Sequence, residues 1–289
     1  MTIAYLNGDF KPIAEAQISP MDRGFLFGDG IYEVIPSYAG ALVGGKLHAA
    51  RMNRGLAEIS IDVNQADNDW ESIARALIKK NENEFEGTSI GVYIHVSRGA
   101  DSKRFHAYPV DITPTVFAFA FQIPDSATAD KNQVTGMRVK THEDLRWKRC
   151  HIKSTSLLGN VMHFQQGQQD GVNETILFNA EKELTEASVC NVFVIKDGVV
   201  ATPPLDNQLL PGITRHILIE SLAKDGKYRV QQRKILLDEL FEADEIWITS
   251  SSKEVAPVVE IDGKAVGNGK VGPIWEEALT SYHSHKFGF

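Results

Sequence analysis

One lysine near the middle of the chain stands where its amine can act as a nucleophile. Lys153 lies between Ile152 and Ser154, and Ser154 is predicted to cap a helix that runs to about Gln169. A lysine buried at such a position is desolvated, and desolvation favours the neutral amine. The neutral amine is the form that attacks a carbonyl carbon. Taken alone, Lys153 is more simply explained as a solvated surface charge, as Lys148 nearby is.

A carboxylate with a different role follows at Glu186. It lies at the end of a predicted strand, and small residues come after it. A carboxylate beside a pyridine nitrogen favours the protonated ring, which is the form that withdraws electrons. The alternative is a carboxylate close to a turn, which is the commoner situation for a lone glutamate.

Residues 210–215 have the composition of an anion site. Gly212 precedes a predicted helix whose first N–H groups would face an anion, and Thr214 adds a hydroxyl. Arg51 is a candidate for the fixed positive charge, and residues 249–252 offer further hydroxyls. Each has a plainer alternative: turn chemistry at Gly212, a surface position on an amphipathic helix for Arg51, and a polar loop at 249–252.

The elements that must position these groups alternate along the chain. Strands are predicted at 31–38, 89–97, 115–122, 134–141, 174–178, 192–195 and 245–250. Helices are predicted at 48–58, 70–82, 154–169 and 274–286, with a further one that opens at 211–214 and runs to about 223. Residues 196–199 form a predicted hairpin turn around Asp197-Gly198. The polar segment 123–133 is the predicted linker between a domain at 1–122 and a domain at 134–289.

Composition excludes several classes of function. The 289 residues carry a formal net charge of −8, which argues against a nucleic-acid surface. Cys150 and Cys190 form neither a disulfide framework nor a zinc pattern, and no metal is expected. No signal peptide or membrane span is evident, so we expect a cytoplasmic protein.

Six parts of the sequence, taken in order, resemble the fold-type IV enzymes that depend on pyridoxal phosphate (PLP). They are residues 22–33, Lys153, Glu186, 210–215, 261–264 and 269–272. That family includes branched-chain aminotransferases, D-amino-acid aminotransferases and aminodeoxychorismate lyases, and the resemblance covers nearly the whole chain. It implies a mixed α+β fold of two domains, with a small N-terminal α/β domain and a larger C-terminal pseudo-barrel domain that binds PLP.

The resemblance also implies residue roles. Lys153 is the catalytic residue and holds PLP as a Schiff base, and Glu186 faces the pyridine nitrogen. The predicted phosphate ligands are Arg51, Ile213, Thr214 and Ser251.

The closest resemblance is to the D-amino-acid branch, and it rests on Arg104 and His106. The Arg-x-His pair looks like the carboxylate trap of those enzymes, completed by Tyr32. Residues two apart in an extended segment project to one side, so both can bind one carboxylate. The family's loop reaches the site of the other subunit, which implies a homodimer. Without the family context, Arg104 and His106 are more simply explained as solvated residues of a basic loop.

The implied reaction is transamination of D-amino acids such as D-alanine and D-glutamate, with 2-oxoglutarate or pyruvate as acceptor. Three alternatives remain: an L-branched-chain aminotransferase, a lyase of the aminodeoxychorismate type and a non-catalytic PLP-binding protein. The sequence departs from the D-type pattern at Val189, Cys190, Pro211 and Pro36.

Overall fold

The computed structural model describes residues 1–63 and 69–289. They divide into two compact units. The first unit is Met1–Asp125 with Ile152–Leu157 and Phe289, and the second is Ser126–His151 with Leu158–Gly288. The break after Asp125 falls within the segment predicted as a linker, 123–133. Ile152–Leu157 belongs to the first unit, whereas the sequence had assigned it to the domain at 134–289.

The first unit is built on a six-stranded antiparallel sheet with strand order β2-β1-β6-β5-β3-β4. Its strands are β1 (Ile3–Leu6), β2 (Asp9–Pro12), β3 (Gly30–Tyr38), β4 (Ala41–Leu42), β5 (Ser89–Ser97) and β6 (Thr115–Gln122). Its helices are a short 3-10 turn (Ile13–Glu15), α1 (Arg23–Phe27), α2 (Gly45–Glu58) and α3 (Trp70–Lys80). The predicted strands 31–38, 89–97 and 115–122 and the helices 48–58 and 70–82 are thus confirmed.

Strand β3 has two different faces because successive side chains alternate across a strand. Ile31 and Ile35 are fully buried in the core shared with Met52 of α2 and Leu77 of α3. Tyr32, between the two isoleucines, is only half-buried. The strand therefore anchors the hydrophobic core with one face and offers a tyrosine on the other.

The segment Ile152–Leu157 pairs with β3 instead of starting a helix. The carbonyl of Lys153 accepts the N–H of Tyr32 at 3.0 Å, and the N–H of Thr155 donates to Gly30 at 2.9 Å. The predicted helix 154–169 begins at Leu158 instead of being capped by Ser154, because Ser154 forms an extended bridge with Ile31, but it ends at Gln169 as predicted.

The second unit contains a nine-stranded mixed sheet with the order β12-β11-β10-β13-β14-β7-β8-β9, and β15 pairs with β14. Its strands are β7 (Met137–Glu143), β8 (Glu174–Phe178), β9 (Leu184–Ala187), β10 (Asn191–Lys196), β11 (Val199–Thr202), β12 (Arg229–Gln232), β13 (Glu245–Ser250), β14 (Glu254–Ile261) and β15 (Lys264–Ala265). Its helices are α4 (Leu158–Gln169), α5 (Ile213–Asp225), α6 (Leu237–Phe241) and α7 (Pro273–His285).

This sheet curls back on itself. The N–H of Ala187, at the end of β9, donates to the carbonyl of Cys190 beside β10 at 2.7 Å. The prediction of a mixed α+β fold is confirmed. The hairpin turn is confirmed as well, since Asp197 and Gly198 both have positive φ, 48° and 74°. Within the described residues, no helix has the length and apolar composition that a membrane crossing requires.

The bonds of Thr155 generate a stability prediction. Its Oγ1 lies 3.0 and 3.3 Å from the carbonyl oxygens of Gly28 and Gly30. We expect Thr155→Val to lower the free energy of unfolding by about 1 kcal/mol, because the hydrogen bond is lost while the volume is kept. Urea unfolding measures the change, with exposed Thr128→Val as the control. Equal effects of the two substitutions would contradict the assignment.

Candidate active site

Lys153 places its amine on an aromatic ring of the first unit. The Nζ atom lies 4.0 Å from the ring centroid of Tyr32, and the side chain is half-buried rather than fully buried. The Tyr32 ring in turn stacks on Tyr93 of β5, with centroids 5.6 Å apart. Backbone pairing with β3 and this ring together define where the amine stands.

Arg51 lies on α2 with its guanidinium bound by Glu33 of β3. Its Nε and Nη2 donate to the two carboxylate oxygens at 2.7 and 2.8 Å, and His48 Nδ1 lies 2.7 Å from one of them. Burial raises the pKa of Glu33, but the charge and hydrogen bonds of Arg51, aided by His48, hold it well below the ordinary value. Arg51 is 5% exposed, so it is not a surface arginine of an amphipathic helix.

Arg104 and His106 lie in an exposed loop of the first unit and converge on one ring, that of Phe27. The Arg104 guanidinium carbon is 5.0 Å from the ring centroid, and the His106 ring centroid is 5.3 Å from it. Arg23 donates to the backbone carbonyls of Phe105 and His106 at 2.5 and 3.2 Å. The loop therefore brings the two predicted carboxylate ligands close together.

In the second unit, Glu186 lies in a network of hydrogen-bond donors. Its Oε1 accepts from Arg146 at 2.6 Å, while Oε2 accepts from Asn191 at 3.2 Å and from the N–H of Leu210 at 3.0 Å. Burial raises the pKa of Glu186 to about 7, although Arg146 and the Leu210 N–H oppose the shift. Arg146 is itself shared with Asp144, through bonds of 2.7 and 3.0 Å.

The start of α5 has the properties of an anion site. Gly212 precedes Ile213 and makes no side-chain cap. Arg215, in the first turn, is 3% exposed and donates to the Pro203 carbonyl and to Gln232. Burial lowers the pKa of Arg215 to about 10, and no carboxylate among residues 1–63 and 69–289 pairs with it.

Hydroxyl groups follow on the second unit's sheet. Thr249 of β13 is paired in register with Asn191, and its Oγ1 is buried without a hydrogen-bond partner in the described chain. Ser251 follows in the turn after β13 and is half-buried. An unpaired buried hydroxyl is unfavourable unless something binds it.

The predicted site residues thus divide between the units. The first unit carries Lys153, Tyr32, Arg51, Arg104 and His106, and the second carries Glu186, Ile213, Thr214 and Ser251. Lys153 contacts Tyr32, and Arg104 and His106 share Phe27.

Several supporting residues were missed from the sequence. Arg146 and Asn191 hold Glu186, while Arg23 and Phe27 hold the Arg104 loop. A weak signal existed for Arg146, which lies in the stretch before Lys153. The other contacts join residues far apart in the chain, so no local pattern revealed them.

Comparison with known families decides the class of protein. The sequence model of the family described as amino-transferase class IV matches residues 30–261. This chain is a class IV aminotransferase. Membership implies an amino acid and an oxo acid as substrates.

Two relatives of this aminotransferase are both D-alanine aminotransferases. The D-alanine aminotransferase of Staphylococcus haemolyticus is 37% identical over 286 residues, which cover 99% of this chain and 98% of the relative. The D-alanine aminotransferase of Bacillus licheniformis is also 37% identical, over 275 residues that cover 95% and 94%.

Solved structures confirm the fold. The branched-chain amino acid aminotransferase of Escherichia coli superposes with a TM-score of 0.89 at 22% identity, covering 99% of this chain and 95% of that one. The branched-chain aminotransferase of the thermophilic archaeon Thermoproteus uzoniensis, solved with norvaline, has a TM-score of 0.82 at 24% identity, covering 99% and 95%. The fold-type IV assignment is thereby confirmed.

The Arg146 network generates a second stability prediction. Replacing Arg146, whose side chain is 3% exposed, with Met leaves Asp144 and Glu186 buried without their cation. We expect the free energy of unfolding to fall by about 3–5 kcal/mol. Urea unfolding measures the loss, and exposed Arg149→Met serves as the control, with a change within about 0.5 kcal/mol. A loss below about 1 kcal/mol would show that the network contributes little.

Proposed function

We propose that this aminotransferase holds PLP through Lys153 and transfers the amino group of D-amino acids, such as D-alanine and D-glutamate, to 2-oxo acids. Family membership and the D-alanine aminotransferase relatives support the reaction. The observation that carries the D preference is the convergence of Arg104 and His106 on Phe27. The branched-chain enzymes named among the solved structures are below 25% identical, so their likeness bears on the fold alone.

The chemistry of the donor groups fits PLP. Free N–H groups at the start of α5, with the unpaired charge of Arg215 and the orphaned hydroxyl of Thr249, suit a phosphate. Ile213, Thr214 and Ser251 lie at these positions, and Arg51 is the further ligand that the resemblance implies. Glu186, with its raised pKa, suits a ring nitrogen that shares a proton.

Bound PLP supplies an aldehyde that combines with amines and a ring that withdraws electrons from the substrate α-carbon. Once the substrate amine has replaced Lys153 on that aldehyde, the freed Lys153 amine would take the proton from the α-carbon as general base, a role typically worth about 10²–10⁴-fold in rate. The Tyr32 ring, 4.0 Å from Nζ, stabilises the ammonium that results. The Lys153 Nζ would later give that proton back.

Glu186 would favour the protonated, positively charged form of the PLP ring nitrogen. Three donors hold its carboxylate in one orientation, so little reorganisation is needed when charge develops. Because Arg146 is divided between Glu186 and Asp144, its charge does not fully neutralise Glu186. The carboxyl therefore retains the capacity to attract a proton shared with the ring.

Handedness follows from where the substrate carboxylate binds. One lysine serves one face of the cofactor, so the carboxylate ligands decide which enantiomer presents its α-hydrogen to the amine. Arg104 provides a two-pronged donor, His106 a second donor and Tyr32 a hydroxyl. This trap favours D-donors.

The proposal includes a cytoplasmic homodimer in which the loop of one subunit completes the site of the other. An exposed apolar surface in the second unit suits a subunit contact. It consists of Leu145, Trp147, Leu158, Val161 and Met162. Both cysteines are free and buried, which supports a reducing compartment.

A half-reaction without acceptor tests the class and the handedness together. We expect D-alanine and D-glutamate, but neither L-alanine nor L-leucine, to bleach the visible band of the holoenzyme. Borohydride treatment should attach a pyridoxyl group to the peptide that carries Lys153, and Lys153→Ala should lose the label whereas exposed Lys148→Ala keeps it. Bleaching by L-leucine alone would favour a branched-chain enzyme. Because D-alanine itself yields one equivalent of pyruvate in this half-reaction, a lyase would be indicated only by repeated release of pyruvate from aminodeoxychorismate without an acceptor.

The carboxylate trap predicts a selective effect of Arg104→Leu. Removing a charged hydrogen-bond donor, worth about 1.5–3 kcal/mol, should raise the KM for D-alanine by roughly 10–100-fold. Steady-state kinetics measure the change. Lys103→Leu in the same exposed loop is the matched control and should leave KM unaltered. An unaltered KM in Arg104→Leu would remove Arg104 from the site.

A further inference from the structure

The Arg104 loop is the connection between β5 and β6, residues 98–114. The short segment 22–27 forms hydrogen bonds near both ends of this loop and in its middle. At the first end, the N–H of Arg23 donates to the Gly99 carbonyl at 2.8 Å. At the other end, Thr115 Oγ1 donates to Asp22 at 2.7 Å. In the middle, the Arg23 guanidinium binds the carbonyls of Phe105 and His106.

We propose that Arg23 and Phe27 are positioning residues for substrate carboxylate binding, acting through Arg104 and His106. The proposal rests on the function proposed above, because it assumes that this pair binds the carboxylate. Neither Arg23 nor Phe27 need touch the substrate.

Phe27 acts on the side chains of the pair. Its ring meets the Arg104 guanidinium and the His106 imidazole, and the Arg23 guanidinium lies 4.9 Å from the same centroid. An exposed arginine loses side-chain entropy when it is ordered. A ring that already holds the guanidinium reduces that loss at the moment of binding.

Arg23 acts on the backbone of the loop. Its carbonyl acceptors belong to His106 and to the residue between the pair, so they set the separation and direction of the two side chains. Arg23 is 2% exposed, and its Nε bonds Asp29 at 2.8 Å. Asp29 also binds Arg98, at 2.8 and 3.0 Å. These hydrogen bonds to Asp29 fix the Arg23 side chain, so it can hold the loop backbone in one position.

The charges around the ring favour an anion. Arg23 and Arg98 share the single carboxylate of Asp29, while Arg104 adds a further cation on Phe27. Two of these cations, Arg23 and Arg104, contact the Phe27 ring, and a cation–π contact attracts a cation without neutralising its charge. A carboxylate that arrives at Arg104 therefore meets a positive potential as well as ordered donors.

The test compares Phe27→Leu with Phe27→Trp and with Phe25→Leu, where Phe25 is 78% exposed on the same helix. The donors are D-alanine and ethylamine, which is D-alanine without its carboxylate. We expect Phe27→Leu to raise the KM for D-alanine by about tenfold with kcat nearly unaltered, the pattern of lost ground-state and transition-state binding. Ethylamine half-reaction rates should be unaffected, and Phe27→Trp and Phe25→Leu should behave as the parent enzyme.

Coupling to Arg104 is the second readout. In an Arg104→Leu background, Phe27→Leu should raise KM by less than it does in the parent enzyme, because only His106 is then left to position. Arg23→Lys, which keeps the charge but loses the two-pronged geometry, should show the same selectivity for D-alanine over ethylamine.

The outcomes separate this proposal from the proposed function. If Arg104→Leu raises KM and Phe27→Leu does not, the positioning role is overturned and the trap stands. Additive effects of the two substitutions, or equal losses with D-alanine and ethylamine, also overturn it, since they indicate independent or general damage. If neither substitution changes KM, the trap itself is absent and both proposals fail.

Discussion

The backbone pairing between Ile152–Leu157 and β3 is the constraint on which the rest of the site depends. The hydrogen bond from the Tyr32 N–H to the Lys153 carbonyl fixes which residue of β3 lies beside the lysine. Thr155 adds hydrogen bonds from the segment to Gly28 and Gly30. A side chain of four methylene groups has many conformations, but its Cα has one position. The point from which the amine extends is consequently fixed by a six-stranded sheet.

Strand β3 uses its alternation to serve two purposes. One face buries Ile31 and Ile35 and binds Arg51 through Glu33, while Tyr32 on the other face lies under the amine. The stability of the sheet and the position of the Lys153 amine thus depend on the same strand. A shift in register by one residue would turn Tyr32 toward the core and the two isoleucines toward the opposite face.

Buried arginines form the second principle of construction. Arg51 with Glu33, Arg146 with Asp144 and Glu186, and Arg23 with Arg98 around Asp29 are all removed from water. Such networks are costly unless they are well bonded, and they add rigidity more reliably than stability. Arg51 is itself a proposed cofactor ligand, Arg146 holds Glu186, and Arg23 holds the loop of Arg104 and His106. Fixed charges of this kind reduce reorganisation during a reaction. Arg215 is the contrast, since it is equally buried but its charge has no carboxylate partner in the described chain.

The sequence by itself determined most of the regular elements and the α+β class, and the order of its motifs predicted the roles that are proposed for Lys153 and Glu186. Periodicity, turn residues and caps are local signals, so strands such as β5 and β13 were predicted to the residue. Only the tertiary structure decided that 152–157 joins β3, that Arg146 holds Glu186 from 40 residues away, and that Arg23 supports a loop 82 residues downstream. A hydrogen bond depends on separation in space, and a single sequence contains no record of which distant residues the fold will bring within about 3 Å.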